Sequence, residues 1–254
     1  MYVIDWLSQQ ANHRSNKVAL VDVDSQREVT YLEFDTRASR FAEFLRDAWK
    51  VQKGDRVAVL AYNDSDYLEM LYGCAKIGAI MVCLNWRLSV SELEFILADA
   101  KPVGLIFGHE FAEQGKALRR YETIRHSMVV GGSGAIEQVD NFETSLAQSS
   151  GQRLQMPNWA MDEAWHLLYT SGTTGKPKGV VQTFGMVFFN AVNSMLHGDI
   201  TSKDVMLNVL PFFHTGGLNL FTNPVLMCGG TVYITRQFDV NTTIELLNSK
   251  ITMF

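Results

Sequence analysis

Short apolar runs alternate with amphipathic stretches from one end of the chain to the other. The runs Val18–Val21, Arg56–Ala61, Ile80–Leu84, Val103–Phe107, Ser127–Val130, Trp165–Thr170, Val205–Leu210 and Thr231–Thr235 have the length and content of strands. Between them, apolar positions recur at helical spacing: Leu93, Ile96, Leu97 and Ala100 share one face until Pro102 ends it. Helix starts are marked by capping residues. Thr30 with Glu33, and Ser89 with Glu92, have the spacing of a capping box, in which a side chain and a backbone amide satisfy each other reciprocally. The first of these opens a helix running to about Trp49. Asn63 or Asp64 caps a helix over Tyr67–Lys76 that Gly78 ends. Two more helices are predicted, from about Thr183 to His197 and over Asn241–Lys250. Strands and helices in alternation predict an α/β fold with a largely parallel sheet.

Composition narrows the picture without redirecting it. Of 254 residues, 47% are hydrophobic and 19% charged, enough for a sizeable core. A net charge of -5 argues against a sequence-independent nucleic-acid binder, which needs a cationic face for phosphates. Cys74, Cys83 and Cys228 are scattered without ligand spacing, so neither a disulfide framework nor a zinc site is expected. Met1–His13 lacks the long apolar segment of a signal peptide, and no apolar run reaches the roughly 20 residues of a membrane span. A cytoplasmic protein is the expectation. The Gly-, Ser- and Gln-rich stretch Gly131–Pro157 reads as a surface excursion with a short helix near Asn141–Gln148.

The chemistry is concentrated after the run Trp165–Thr170. The ten residues Thr170-Ser171-Gly172-Thr173-Thr174-Gly175-Lys176-Pro177-Lys178-Gly179 hold four hydroxyls, three glycines and two lysines. Glycine permits close backbone approach, so successive N–H groups can converge on an oxyanion; the hydroxyls add donors and the lysines charge. Pro177 stiffens the segment and delays the following helix. Such a segment suits a polyphosphate. It is not the common nucleotide P-loop, because Gly175-Lys176 is followed by proline, and Gly132-Ser133-Gly134 lacks the third glycine of a dinucleotide site.

The run Tyr169–Gly179 resembles the phosphate-binding signature of the adenylate-forming superfamily, which includes acyl- and aryl-CoA synthetases, peptide-synthetase adenylation domains and beetle luciferases. Val29–Phe34, Gly54–Val59, Lys76–Ala79, Leu84–Leu88 and Leu210–Gly217 extend the resemblance over most of the chain, and the last of these is similar to the segment beside the acyl pocket of CoA ligases. The resemblance implies a fold of stacked, mostly parallel sheets flanked by helices. Residues 54–183 would form a first subdomain, and 1–45 with 202–254 part of a second whose sheet is incomplete. It implies activation of a carboxylic acid, fatty or otherwise hydrophobic, by ATP and Mg²⁺ to acyl-AMP, followed by transfer to CoA. Ser171, Gly172, Thr173, Thr174, Gly175, Lys176, Lys178 and Gly179 would hold the phosphates, Thr170 would help hold Mg²⁺, and His214 would flank the carboxylate. By position alone His214 reads more readily as a core or surface histidine than as a functional one, and the resemblance reverses that order. The remaining histidines, His166 among them, lack ligand spacing and read as structural or exposed.

The resemblance also implies later elements that these residues do not contain: an adenine-stacking segment with a magnesium-binding Glu, a ribose-binding Asp and a C-terminal domain with the catalytic Lys. The chain thus reads as a truncated N-terminal portion, inactive alone. An incomplete second sheet exposes an edge and predicts dimerisation or edge-to-edge contact. Two other readings stay open: an adenylation domain loading a carrier protein, and a non-catalytic protein that keeps a phosphate-binding segment. Met186, Phe188, Phe189 and Met195 read as core, with part of the stripe lining an acyl tunnel as the alternative.

Overall fold

A computed structural model describes residues 1–132, 136–171 and 177–254. Its strands are β1 Val18–Asp22, β2 Arg27–Thr30, β3 Arg56–Leu60, β4 Ile80–Cys83, β5 Gly104–Gly108, β6 His126–Val130, β7 Asp140–Asn141, β8 Ala164–Ser171, β9 Pro177–Thr183, β10 Val205–Asn208 and β11 Thr231–Ile234. They form two sheets, a four-stranded one ordered β10-β11-β1-β2 and a seven-stranded one ordered β7-β6-β5-β3-β4-β8-β9. Pairing is parallel except at β1–β2 and β8–β9. The α/β class with mostly parallel sheets, expected from the alternating pattern, is the observed one.

Between the strands run helices α1 Trp6–His13, α2 Tyr31–Asp47, α3 Ser65–Ile77, α4 Val90–Ala100, α5 Ala112–Leu118, α6 Phe142–Ala147, α7 Phe184–Gly198, α8 Thr222–Cys228 and α9 Val240–Ser249. Strand alternation sorts the apolar side chains into layers. Val57 and Val59 of β3 join Val232 and Ile234 of β11 in one cluster around α2 and α3, which therefore fill the space between the sheets. Ala58, Leu60, Val82 and Leu105 point the other way, onto Leu93, Ile96 and Leu97 of α4 and Leu118 of α5. On the far face of the smaller sheet, Val21, Leu207 and Tyr233 pack with Leu246 of α9. The middle layer also buries charge in pairs: Glu69 lies between Arg27 and Arg37, and Lys76 between Asp5 and Asp35. Among the described residues, no helix is long and apolar enough to cross a membrane.

Most predicted helix starts hold, with one difference. Ser89 and Glu92 form the full capping box at α4, and Asp64 caps α3, which ends at Gly78. At Thr30 only half of the box forms: its hydroxyl accepts from Glu33 N, while the Glu33 carboxylate turns toward Arg27 at 3.6 Å. Three strands, β2, β7 and β9, and three helices, α1, α5 and α8, have no counterpart in the sequence reading. β2 has one buried apolar residue, β7 is two residues long, and β9 is an edge strand with an exposed centre, so none shows a buried run. Pro177 does not merely delay a helix. It opens β9, and α7 begins seven residues later, capped by Thr183.

Candidate active site

The carboxyl ends of the seven-stranded sheet border a cleft of about 540 Å³. One wall is the β8–β9 pair, which contributes Tyr169, Thr170 and Pro177. The floor is α4, through Ser91, Glu92, Phe95 and Ile96, with Asn85 and Leu88 from the turn before it. His214 stands across from them. This is where ligands bind in open α/β sheets, since parallel strands end together and their loops diverge.

Antiparallel register explains the β8–β9 wall. Thr170 is the cross-strand partner of Lys178, and Tyr169 of Gly179. Directly opposed residues project to the same side, so the Thr170 hydroxyl and the Lys178 stem leave the sheet on one face, and both are exposed. Gly179 has a packing reason to be glycine: a Cβ there would stand 3.0 Å from Cζ of Tyr169. The Tyr169 hydroxyl donates to Oδ2 of Asp99 at 2.6 Å, and burial, reinforced by that carboxylate, holds its pKa above the usual value. Ser171 closes β8. Gly172, Thr173, Thr174, Gly175 and Lys176, assigned to phosphates by the resemblance, lie outside the described residues.

His214 sits on the segment that follows β10. Phe212 and Phe213 are buried, which commits the segment to its path, and the exposed His214 caps it. Its carbonyl accepts from Gly217 N and Leu218 N, feeding a single turn of π-helix over Gly216–Leu220. π turns are rare and concentrate at functional sites. Only glycine fits at 217, where a Cβ would lie 2.2 Å from the Pro211 carbonyl oxygen. The imidazole packs 4.7 Å from the Phe213 ring, and the Arg87 guanidinium lies over Trp86 and Phe213. Partial burial first, and the Arg87 charge second, lower the His214 pKa, so the ring is neutral near neutral pH and offers a lone pair.

The cleft brings together Thr170 and His214, with Lys178 and Gly179 beside it as the cross-strand partners of Thr170 and Tyr169. It adds residues that the sequence reading missed. Glu92, Ser91 and Phe95 occupy the α4 face opposite the apolar stripe, a position available from the same helical periodicity. Arg87, within Leu84–Leu88, has no local sequence signal for its place over Trp86 and Phe213. His166 is fully buried on β8, cross-strand from Gln182, with Nε2 3.4 Å from Nδ2 of Asn219 and Nδ1 without a partner. Burial pushes its pKa down to about 3. The Met/Phe stripe divides: Phe188 and Met195 pack on the core, while Met186 and Phe189 are exposed. Among the described residues there is no cluster of three or more metal-ligating side chains. Glu92 lines the cleft and accepts from Ser89 N and Oγ through Oε2, and Thr170 contributes a hydroxyl oxygen from the facing strand.

Comparison with known proteins gives concordant matches. The family described as AMP-binding enzyme matches residues 7–254. The chain is 32% identical over 250 residues to an indoleacetate–CoA ligase of Aromatoleum aromaticum, covering 98% of this chain and 48% of that protein. It is 35% identical over 222 residues to a feruloyl-CoA synthase of Amycolatopsis, covering 87% and 42%. The chain therefore spans just under half the length of these relatives. Among solved structures, it superposes with a TM-score of 0.81 at 29% identity on an O-succinylbenzoate coenzyme A synthetase from Bacillus subtilis determined in complex with ATP and magnesium ion, covering 100% of this chain and 63% of that one.

Proposed function

The chain belongs to the AMP-binding enzyme family, and on that premise we propose that it supplies the triphosphate grip and one side of the acid site of an AMP-forming acid–CoA ligase acting on an aromatic or otherwise hydrophobic carboxylic acid. The observation that carries this reading is the pairing of Thr170, which lines the cleft, with Lys178 on the adjacent strand, in a cleft that a neutral His214 also lines. In the proposed reaction a carboxylate oxygen bonds to the α-phosphorus of ATP and the bond to the β-phosphate breaks, releasing pyrophosphate. The CoA sulfur then bonds to the acyl carbon, AMP leaves and the thiol proton passes to solvent.

This chain's part is electrostatic and positional. Ser171, Gly172, Thr173, Thr174, Gly175 and Lys176 would donate to the β- and γ-phosphates, with Lys178 adding charge from the strand and Gly179 leaving the backbone uncrowded. Stabilising charge on the departing pyrophosphate accelerates the first step. Magnesium would neutralise the triphosphate; Thr170 offers it one oxygen, and its other ligands would come from phosphates and water. A neutral His214 can accept a hydrogen bond or pack against the substrate without adding a positive charge. Phe95, Leu88 and Phe213 nearby favour an apolar acid, as do the aromatic acids named for the two relatives.

Titration of the chain with ATP, AMP and inorganic triphosphate tests the grip. ATP should bind more tightly than AMP, and triphosphate should compete. Lys176→Ala should weaken ATP by roughly 10- to 100-fold, the worth of a charge-assisted hydrogen bond, and leave AMP unchanged. Equal ATP affinity in wild type and Lys176→Ala would overturn the assignment.

A further inference from the structure

His214 hangs from a segment whose course is set by one buried amide from the other sheet. Asn63 follows β3 of the seven-stranded sheet and is 3% exposed. Its Oδ1 accepts from Phe212 N at 2.8 Å, and its Nδ2 donates to the Leu210 carbonyl at 2.9 Å and the Thr235 carbonyl at 3.3 Å. The Leu210 carbonyl is also held by Nδ2 of Asn208, the last residue of β10. Thr235 N in turn donates to the Asn208 carbonyl, locking the ends of β10 and β11 together. Two residues beyond Asn63, Ser65 N and Oγ donate to the Asp22 carboxylate of β1. The turn between β3 and α3 thus clasps the smaller sheet at two points, and one of them lies directly before His214.

We propose that Asn63 is a positioning residue for His214: by saturating its amide on both sides of Pro211, it fixes how far the His214 segment stands from the cleft floor. This rests on the acid–CoA ligase reading for its catalytic consequence but not for its geometry. The amide is matched at each of its polar sites by backbone rather than by other side chains, so its partners cannot rotate away. Among the described residues nothing else replaces it: Phe212 N has no other acceptor, and Leu210 O keeps only Asn208. The clasp also has a direction. Asn63 accepts on the His214 side and donates on the strand side, so an inverted amide would face N–H with NH₂ and carbonyl with carbonyl.

The test has a structural and a kinetic arm. In the isotope-labelled chain, Asn63→Ser should shift the His214 imidazole resonances and raise its titration midpoint toward the ordinary histidine value, as the ring leaves Arg87 and gains water. His166, buried elsewhere, should not move. Hydrogen exchange at Phe212 N should quicken at least tenfold. In the full-length protein, assayed by carboxylate-dependent ATP–pyrophosphate exchange, Asn63→Ser should raise KM for the acid by about tenfold and leave KM for ATP within twofold; adding His214→Ala should cost little more, because both changes remove one interaction. Asn63→Gln, which keeps the amide, should restore part of the loss. Unchanged His214 signals and Phe212 exchange in a folded Asn63→Ser protein overturn the proposal, as does an equal rise in both KM values. If the resonances move while the full-length wild type shows no exchange activity, the clasp stands and the ligase reading falls.

Discussion

The two walls of the cleft are made in opposite ways. The β8–β9 wall is local: its residues lie within 164–183 and are held by one antiparallel ladder. The His214 wall is assembled. Asn63, the Trp86-Arg87 pair and Phe212-Phe213 come from three separate stretches of the chain, joined by contacts between residues far apart in sequence. A local wall keeps its geometry as long as its strand is rooted. An assembled wall can lose its geometry while the protein stays folded. Damage at the root of the first should therefore appear as lost stability, and damage to the second as altered chemistry at constant stability.

The largest effect is expected at the root of β8. Trp165 is 1% exposed, its indole N–H donates to the Leu71 carbonyl at 3.1 Å, and its ring stacks on Phe184 and meets Trp6 and Tyr72 edge-on. A register shift at this point of β8 accompanies its turning onto the inner cluster with Leu168. Trp165→Ala should destabilise the chain by about 3–5 kcal/mol, the usual cost of removing a large aromatic from a core. Urea unfolding measures it. A loss below about 1 kcal/mol would mean that the wall is not rooted here and that the contrast with His214 is misplaced.

The same contrast explains what could be read from the sequence. β8, the hydroxyl-rich segment after it and the α4 capping box are written in consecutive residues, where propensity and hydrogen-bond chemistry act at short range. The α/β class was legible for that reason. β9 was not, because an exposed edge strand is specified by its partner and shows no apolar alternation of its own. His214 was reachable only through resemblance, since a lone histidine after Phe212-Phe213 carries no local signal. The clasp from Asn63 was illegible in principle: in sequence that residue is one of two equivalent cap candidates for α3, and the structure gives the cap to Asp64 and the long-range role to Asn63.

A second, smaller effect separates a buried histidine from the one in the cleft. The folded-state pKa of His166 lies at about 3, below the ordinary 6.5, because burial excludes the charged ring. The unfolded chain therefore binds a proton that the folded one refuses. His166 supports folding fully above pH 6.5, and this support is lost as pH falls from there toward 3. Between pH 6.5 and 5 the loss should be about 2 kcal/mol, from roughly 1.4 kcal/mol per pH unit. Urea unfolding of wild type and His166→Gln across that range isolates it from carboxylate titrations, which both proteins share. Parallel pH profiles for the two would show that the ring is reached by solvent and that this part of the molecule is no drier than the cleft.

The smallest effect concerns the floor that both walls share. Ser89 caps α4 through Glu92 N and in return donates, with its own backbone N–H, to the Glu92 carboxylate. Those bonds hold the Glu92 carboxyl below its usual pKa. Ser89→Ala should cost about 1 kcal/mol, as cap removals do, and let the Glu92 carboxyl return toward its ordinary value, visible by carbon NMR. Neither wall depends on that cap: β8 is tied to β9 and β4, and the segment before His214 to Asn63 through Leu210 and Phe212. The His214 resonances should therefore stay where they are in Ser89→Ala, though they shift in Asn63→Ser. Were the cap mutation to move them as far, floor and wall would be one cooperative unit, and the division between a local and an assembled half of the site would have to be given up.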